Sequence, residues 1–337
     1  MLWYETKTKS PYLSTRVRLA RNLDGVPFLS KLTQSKITEI CNTISETIEQ
    51  CNFGAIKLRK INMSTLGDTE TYAMVERHCI SPKFAGNREG RILLLSDDES
   101  VSIMIGEEDH LRIQVLLPGE SLNKAYEICS MIDSELSLKL KFAFSEKIGY
   151  LTECPTNVGT GMRASVMMHL PILETTGELR NINEAVTKGG LVFRGFYGEG
   201  SQSKSAVYQL SNQITLGITE QATLTTLENV AKQIVERENE ALSHFDKISL
   251  TDTVYRSFGI LKYSYKMSTE EMITHLSRLM LGESANIISL PESINPLFEF
   301  INLQSSMIKR IKGEVSAIER DKIRAEFLRE YFKNVEV

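Results

Sequence analysis

The sequence predicts an α+β fold followed by an all-helical C-terminal domain, and three observations carry that expectation. Short apolar runs separated by polar turns fill the stretch from Arg91 to Leu117. Apolar residues recur at helical spacing on both sides of it, and beyond about Thr219 only helical periodicity remains. At 337 residues the chain has material for about two domains of roughly 150 residues each. The expected division is 1–244 for the α+β part and 245–337 for the helices.

"STRVRLARN", Ser14 to Asn22, comes first. If it is extended, Arg16 and Arg18 share one face, Val17 and Leu19 share the other, and Arg21 leaves the arginine face. Ile37, Ile40, Cys41, Ile44 and Ile48 place an amphipathic helix over 35–50. "RILLL", "VSIMI" and "LRIQVLL" read as strands, and "SLNKAYEICSMIDSELSLKLKF" returns to helical period. "RASVMMHLPIL", "GLVFRGF" and "SAVYQLSNQ" are further strands of a mostly antiparallel sheet, with the helical "ELRNINEAVTKG" between the first two. The helical domain follows in "TDTVYRSFGILKYSY", "STEEMITHLSRLML", "NPLFEFINLQSSMIKRI" and "RDKIRAEFLREYF". Met272, Leu276, Leu279 and Met280 stand at core spacing there.

Bulk composition narrows the function. Hydrophobic content of 42%, charged content of 24% and a net charge of −4 describe an ordinary soluble chain with no basic field for nucleic acid. Any anion site must be local. The start shows no signal-peptide pattern, and no run of apolar residues is long enough to span a membrane. Five cysteines without a C-x-x-C pair fit reduced thiols in the cytoplasm.

Four stretches combine special residues with a strand edge or glycine turn: "STRVRLARN", "GEEDHLRIQ", "CPTNVGTGMRAS" and "FRGFYGEGSQS". They supply Arg16, Arg18, Arg112, Arg163 and Arg194, and arginine forks suit phosphate oxygens. No G-x-x-x-x-G-K-[ST] occurs, so a Walker site is excluded. Glu108 and Glu199 place two carboxylates amid that positive charge. Arginines for a polyanion and acids for a cation suit a nucleotide together with a guanidinium substrate.

The four motifs, in this order and with "HLP" after the third, resemble the ATP:guanido phosphotransferase (phosphagen kinase) family over about residues 11–217. The resemblance is nearest to its bacterial protein-arginine kinases. It implies that Arg16, Arg18, Arg112, Arg163 and Arg194 cradle the phosphates of ATP, with His78 packed on the adenine. It implies that Glu108 and Glu199 hold the acceptor guanidinium and that Cys154 lies beside the substrate. Mg²⁺ is expected on phosphate oxygens and water rather than on protein carboxylates. Two positions depart from the family: Gly106 stands where asparagine commonly precedes the glutamate pair, and Met167 where small-guanidine kinases often carry histidine.

"RDKIRA" has two readings. By spacing alone Asp321 pairs with Arg324 on a solvated helix surface. The resemblance makes Arg320, Asp321 and Arg324 a regulatory phosphoarginine-binding site. It further implies protein substrates with exposed arginines, including a heat-shock repressor, and marking for degradation through a Clp-type ATPase. A zinc-binding activator protein and homodimer formation belong to the same expectation, with no nucleic acid or membrane partner. A kinase for free arginine or another small guanidine, and an inactive nucleotide-binding adaptor, are the competing readings.

Overall fold

The computed structural model describes residues 1–8, 11–195 and 205–336. Its strands are β1 (Tyr12–Arg21), β2 (Leu58–Asn62), β3 (Ile92–Ser96), β4 (Val101–Ile105), β5 (Leu111–Pro118), β6 (Phe144–Ser145), β7 (Gly149–Tyr150), β8 (Met162–His169), β9 (Leu191–Gly195) and β10 (Val207–Asn212). The α-helices are α1 (Gln34–Glu49), α2 (Asp68–Glu76), α3 (Pro82–Gly86), α4 (Leu122–Ser137), α5 (Pro171–Thr175), α6 (Leu179–Lys188), α7 (Glu220–Ser243) and α8 (Lys247–Tyr263). They continue with α9 (Thr269–Ser284), α10 (Pro296–Asn302), α11 (Ser305–Lys312) and α12 (Ala317–Tyr331). Strand neighbours follow the order β2-β3-β4-β5-β1-β8-β10-β9, and β6 with β7 forms a separate hairpin. This is the mixed, largely antiparallel sheet with flanking helices that the alternating runs predict.

The chain divides into two compact units. The first holds Met1–Trp3, Ser14–Val166 and Ser211–Asn229; the second holds Tyr4–Leu13, Met167–Leu210 and Val230–Val337. Residue 245, where the sequence places its division, falls between α7 and α8 inside the second unit.

In the first unit β1 runs antiparallel to β5, with Val17 opposite Val115, Leu19 opposite Ile113, and Arg18 opposite Gln114. Val17, Leu19, Ile113 and Val115 are buried, and α4 packs against β5. Burying each such side chain is worth about 1.5–3 kcal/mol, so a one-residue slip that turned all four outward is prohibited. The register therefore sends Arg16, Arg18 and Arg112 to the opposite face. Between β4 and β5 the chain turns at Gly106, whose N–H donates to the His110 carbonyl at 3.0 Å. Gly106 has φ of 86°, and a Cβ there would lie 2.6 Å from Cys41 Sγ on α1. The glycine that departs from the family pattern thus matches a thiol filling the space a side chain would need.

The second unit is centred on α8, α9, α10 and α12, whose buried residues include Val254, Leu261, Met272, Leu276, Leu279, Phe300, Leu328 and Phe332. Asp246 caps α8, Ser268 caps α9, and a Ser316–Glu319 capping box starts α12. Two sequence expectations are corrected here. "NPLFEFINLQSSMIKRI" is two helices, α10 and α11, because the Leu303 carbonyl accepts from Arg324 Nε at 2.9 Å and Gln304 is extended. "RASVMMHLPIL" stops being a strand at His169, because Pro171 begins α5. The first α5 N–H groups, of Ile172 and Leu173, donate to the Glu238 carboxylate.

His169 is buried, and its Nε2 is 2.8 Å from Ser277 Oγ, which donates onward to the Ser205 carbonyl. Burial pushes its pKa down to about 3. A folded-state pKa below the unfolded value means stability that is complete above about pH 6.5 and lost as pH falls towards 3. From pH 6.5 to 5 this one group should cost about 2 kcal/mol. Urea titrations at both pH values should show a smaller loss in His169→Asn than in the unaltered chain; an equal loss would contradict the assignment.

Candidate active site

Three adjacent strands bring four arginines to one face. Arg16 and Arg18 come from β1, Arg112 from β5 and Arg163 from β8. Ala20 stands opposite Arg112, and this small side chain leaves the space in front of it open. A cavity of about 250 Å³ results, lined by Arg18, Glu108, Arg112, Cys154, Thr156 and Arg163 among others. Burial, then the charges of Arg112 and Arg163, pushes the Arg16 pKa down to about 10. Arg18 is depressed further, by burial and then by Arg16, Arg112 and Arg163, with Glu107 opposing. Its Nε is buried without a hydrogen-bond partner among the described residues. A guanidinium does not give up its proton inside a protein, so the cluster is a preformed concentration of positive charge.

The two glutamates divide the work of balancing it. Glu107 Oε2 lies 2.7 Å from Arg112 Nη1, and its Oε1 accepts from Ser81 Oγ at 2.6 Å. Ser81 is itself fixed as the cap of α3. Glu108 Oε2 is 3.1 Å from Arg112 Nη2, and its Oε1 is 3.6 Å from Lys83 Nζ. The Glu107 side chain is 2% exposed and that of Glu108 is 27% exposed. The first acid belongs to the wall, and the second opens on the cavity.

Their turn is pinned by Asn22. Its Nδ2 donates to Asp109 Oδ1 at 2.7 Å and to the Leu151 carbonyl at 3.0 Å, while its Oδ1 accepts from the His110 N–H at 2.9 Å. Asp109 Oδ1 also accepts from the Glu153 N–H, next to Cys154. His110 Nδ1 accepts from the Leu23 N–H, so the proton sits on Nε2, which donates to the Pro27 carbonyl. One asparagine thus joins the end of β1, the glutamate turn and the cysteine loop.

Cys154 precedes the short turn Pro155–Asn157, and its Sγ is 3.1 Å from Thr156 Oγ1. The loop continues through Gly159, whose φ is 114° and where a Cβ would lie 2.1 Å from the Thr215 carbonyl oxygen. No other residue fits that backbone approach. His78 also has a positive φ, 64°, and its carbonyl accepts from Gln114 Nε2 at 2.9 Å. Gln114 lies on the arginine face of β5, so His78 is tied to that face. Burial and then Arg16 push its pKa down to about 3, which leaves the imidazole neutral.

The structure therefore brings together Arg16, Arg18, Arg112, Arg163, Glu108 and Cys154, with His78 in the field of Arg16. Arg194 is exposed on β9 in the second unit, and Glu199 lies outside the described residues. In α12, Arg324 is 1% exposed and donates to the Leu303 and Met267 carbonyls and to Asp321 Oδ1. The solvated-surface reading of "RDKIRA" is corrected: the pair with Asp321 exists, but Arg324 is a buried clamp. Arg320 is half-buried, with Nη1 2.9 Å from the Val315 carbonyl. A cavity of about 480 Å³ in the second unit is larger. Its Lys7 pairs with Glu283, and its Asn295 with the Tyr4 carbonyl, so its main polar groups already serve the fold.

Sequence reasoning missed Asn22, Glu107, Ser81 and Gln114. Asn22 closes the first motif and Glu107 adjoins Glu108, but Asp109 lies 87 residues from Asn22 and Ser81 lies 26 from Glu107, and no local pattern marks these contacts.

Comparisons with known proteins bear on the family and the fold. A family profile described as ATP:guanido phosphotransferase, C-terminal catalytic domain, matches residues 39–241, and one described as Protein-arginine kinase McsB C-terminal domain matches 247–337. A protein-arginine kinase of Halothermothrix orenii is 43% identical over 321 residues, covering 94% of this chain and 91% of that protein. One from Brevibacillus brevis is 42% identical over 331 residues, covering 96% and 92%. Among solved structures, the substrate-free duplicated taurocyamine kinase of Schistosoma mansoni is similar with a TM-score of 0.61 at 27% identity. That match covers 78% of this chain and 39% of the duplicated one.

Arg21 is on the buried face with Val17 and Leu19. Its Nε and Nη2 pair with Asp133, its Nη1 donates to the Ala20 and Thr160 carbonyls, and its guanidinium lies 3.5 Å from the Tyr150 ring centroid. Arg21→Ala should therefore destabilise the first unit by about 3–5 kcal/mol, because it strands the buried side of Asp133. Denaturant unfolding measures this, and a loss below about 1 kcal/mol would refute the structural role.

Proposed function

We propose that this chain, which belongs to the ATP:guanido phosphotransferase family, is a protein-arginine kinase that transfers the γ-phosphoryl of ATP to arginine side chains of proteins. One observation carries the assignment of its site: three guanidiniums from three adjacent strands, those of Arg18, Arg112 and Arg163, line a cavity that Glu108 shares, with Arg16 in their field. Four cations against the carboxylates of Glu107 and Glu108 leave an excess of positive charge that a triphosphate balances. Arg16, Arg18, Arg112 and Arg163 hold the phosphates, the family motif assigns Arg194 the same role, and neutral His78 packs on the adenine. Cys154 lies beside the acceptor.

The chemistry is in-line displacement. A guanidinium nitrogen of the acceptor forms the N–P bond, the bond from the γ-phosphorus to the β,γ-bridging oxygen breaks, and ADP leaves. The acceptor begins as a cation with delocalised lone pairs, and one N–H proton must depart. Glu108 and Glu199 grip the planar fork, align one nitrogen and take that proton. The arginines stabilise the charge spread over the transferring group, with little rearrangement because their strands fix them. Mg²⁺ supplies further charge neutralisation; an arginine wall repels it, so it rides on the nucleotide's oxygens and water.

On the same proposed reading the enzyme is cytoplasmic, stimulated by a zinc-binding activator protein, active on a heat-shock repressor, coupled to a Clp-type ATPase and able to form a homodimer. The described residues contain no helix long and apolar enough to cross a membrane. The division at 245 separates catalysis from a helical regulatory domain, in which Arg320 and Asp321 contact phosphoarginine and Arg324 supports them.

Glu108→Ala should reduce phosphoarginine formation on an acceptor protein by about three orders of magnitude or more while ATP still binds; Arg163→Ala should instead weaken ATP binding by roughly tenfold or more. Mass spectrometry under acid-protected conditions and nucleotide titration measure the two effects. Normal turnover in the first variant, or normal ATP affinity in the second, would overturn those roles. For the regulatory site, calorimetric binding of free phosphoarginine should lose a component in Arg320→Ala that Glu108→Ala retains. Identical isotherms in Arg320→Ala and the unaltered chain would remove it.

A further inference from the structure

The cavity mouth has an apolar neighbour that the phosphoryl-transfer chemistry does not use. Thr215 is buried, and its Oγ1 lies 3.0 Å from the Thr156 carbonyl and 2.8 Å from the Val158 carbonyl. Its own carbonyl accepts from the Thr160 N–H. Thr156, Asn157 and Gly161 of this loop line the cavity beside Glu108. With Thr215 turned inward, Ile214 and Leu216 turn outward, 50% and 53% exposed. They are fixed in place: Asn212 Nδ2 holds the Ile214 and Met162 carbonyls, and its Oδ1 accepts from the Ala164 N–H. The backbone of Leu216 is so close to Gly159 that a Cβ on the glycine would lie 2.9 Å from Leu216 Cα.

The other flank of Gly159 repeats the pattern. Tyr150 exchanges both backbone hydrogen bonds with Gly159, and the β6–β7 hairpin that carries it exposes Phe144 and Ile148. Phe144 packs edge-on against Tyr150 at 5.1 Å. Two ordered segments bonded to one cavity loop thus hold four exposed apolar side chains. A soluble domain rarely concentrates such groups without a partner.

We propose that Ile214 and Leu216 form a docking surface for the polypeptide bearing the target arginine, and that they favour substrates with apolar side chains within about three residues of it. The inference rests on the protein-arginine kinase reading. An arginine that reaches Glu108 brings its neighbours to the cavity mouth. In an extended chain those neighbours advance about 3.4 Å per residue and alternate in direction, so side chains two apart recur every ~7 Å. Ile214 and Leu216, two apart around the inward Thr215, offer apolar contacts to such alternate side chains. Contact buries apolar area on both partners and so lowers KM rather than altering the chemical step.

Two peptides test this, each with a single arginine, one flanked by leucine and isoleucine and the other by serine. The unaltered enzyme should show a kcat/KM about five to ten times higher for the apolar peptide, expressed in KM. Ile214→Ser with Leu216→Ser should bring the ratio close to one, while the exchange Ile214→Leu with Leu216→Ile should keep it. Equal use of both peptides by the unaltered enzyme would overturn the proposal, as would a preference that survives the double serine change. Loss of the preference in the exchange variant would also overturn it, since local packing and not apolarity would then be the cause. If the serine variant instead changes sedimentation from dimer to monomer with its preference intact, a second copy of the chain occupies the surface. Phosphorylation of free arginine and of neither peptide would reject the protein-arginine reading itself, an outcome distinct from equal use.

Discussion

Repulsion among four guanidiniums is the constraint around which the first unit is organised. Two like charges on the order of 6 Å apart cost about 3 kcal/mol at an effective dielectric constant near 20. Burying one aliphatic side chain gives about as much. The sheet can therefore hold the cluster only if the reverse face of the same strands is densely apolar, and Val17, Leu19, Ile113 and Val115 make it so. Glu107 lowers the cost further by sitting against Arg112, and Ser81 holds Glu107 in turn. Affinity for a polyanion is thus stored in the fold before any ligand arrives.

Much of this was legible because it is periodic. Alternation in "STRVRLARN" separates Arg16 and Arg18 from Val17, Leu19 and Arg21, and the structure keeps that separation. Special residues at strand edges and glycine turns singled out Arg112, Arg163 and Glu108 in distant segments, and resemblance to known kinases supplied their roles. Neither route shows the contacts of Asn22, because Asp109, His110 and Leu151 come close only after β1, the glutamate turn and the cysteine loop have assembled. Arg324 shows the same limit in a helix. Its spacing from Asp321 is that of an ordinary surface pair, and only the arrival of the Met267 and Leu303 carbonyls makes it interior. The Leu303 carbonyl also explains why a continuous helical pattern breaks into α10 and α11.

Two means of satisfying buried polar groups stand out. In the first, side-chain amides of Asn22, Gln114 and Asn212 bridge backbone segments, which suits loops that must be precise without being regular. In the second, charged groups complete helices: the Glu238 carboxylate accepts from the first N–H groups of α5, and Arg324 donates to the Leu303 carbonyl where α10 ends. Removal of one amide would loosen a loop, whereas removal of one charge would leave a helix terminus unsatisfied.

The partition of β1 also limits how its length can vary. Because successive side chains alternate faces, deleting a single residue between Ser14 and Arg21 would exchange the two faces downstream of the deletion, setting guanidiniums against α4 and aliphatic groups on the arginine face. Deleting two would shorten the strand yet preserve the partition. Frame within this strand is therefore counted in pairs, and lineages carrying the site can lengthen or trim β1 only in even steps unless a bulge absorbs the odd residue.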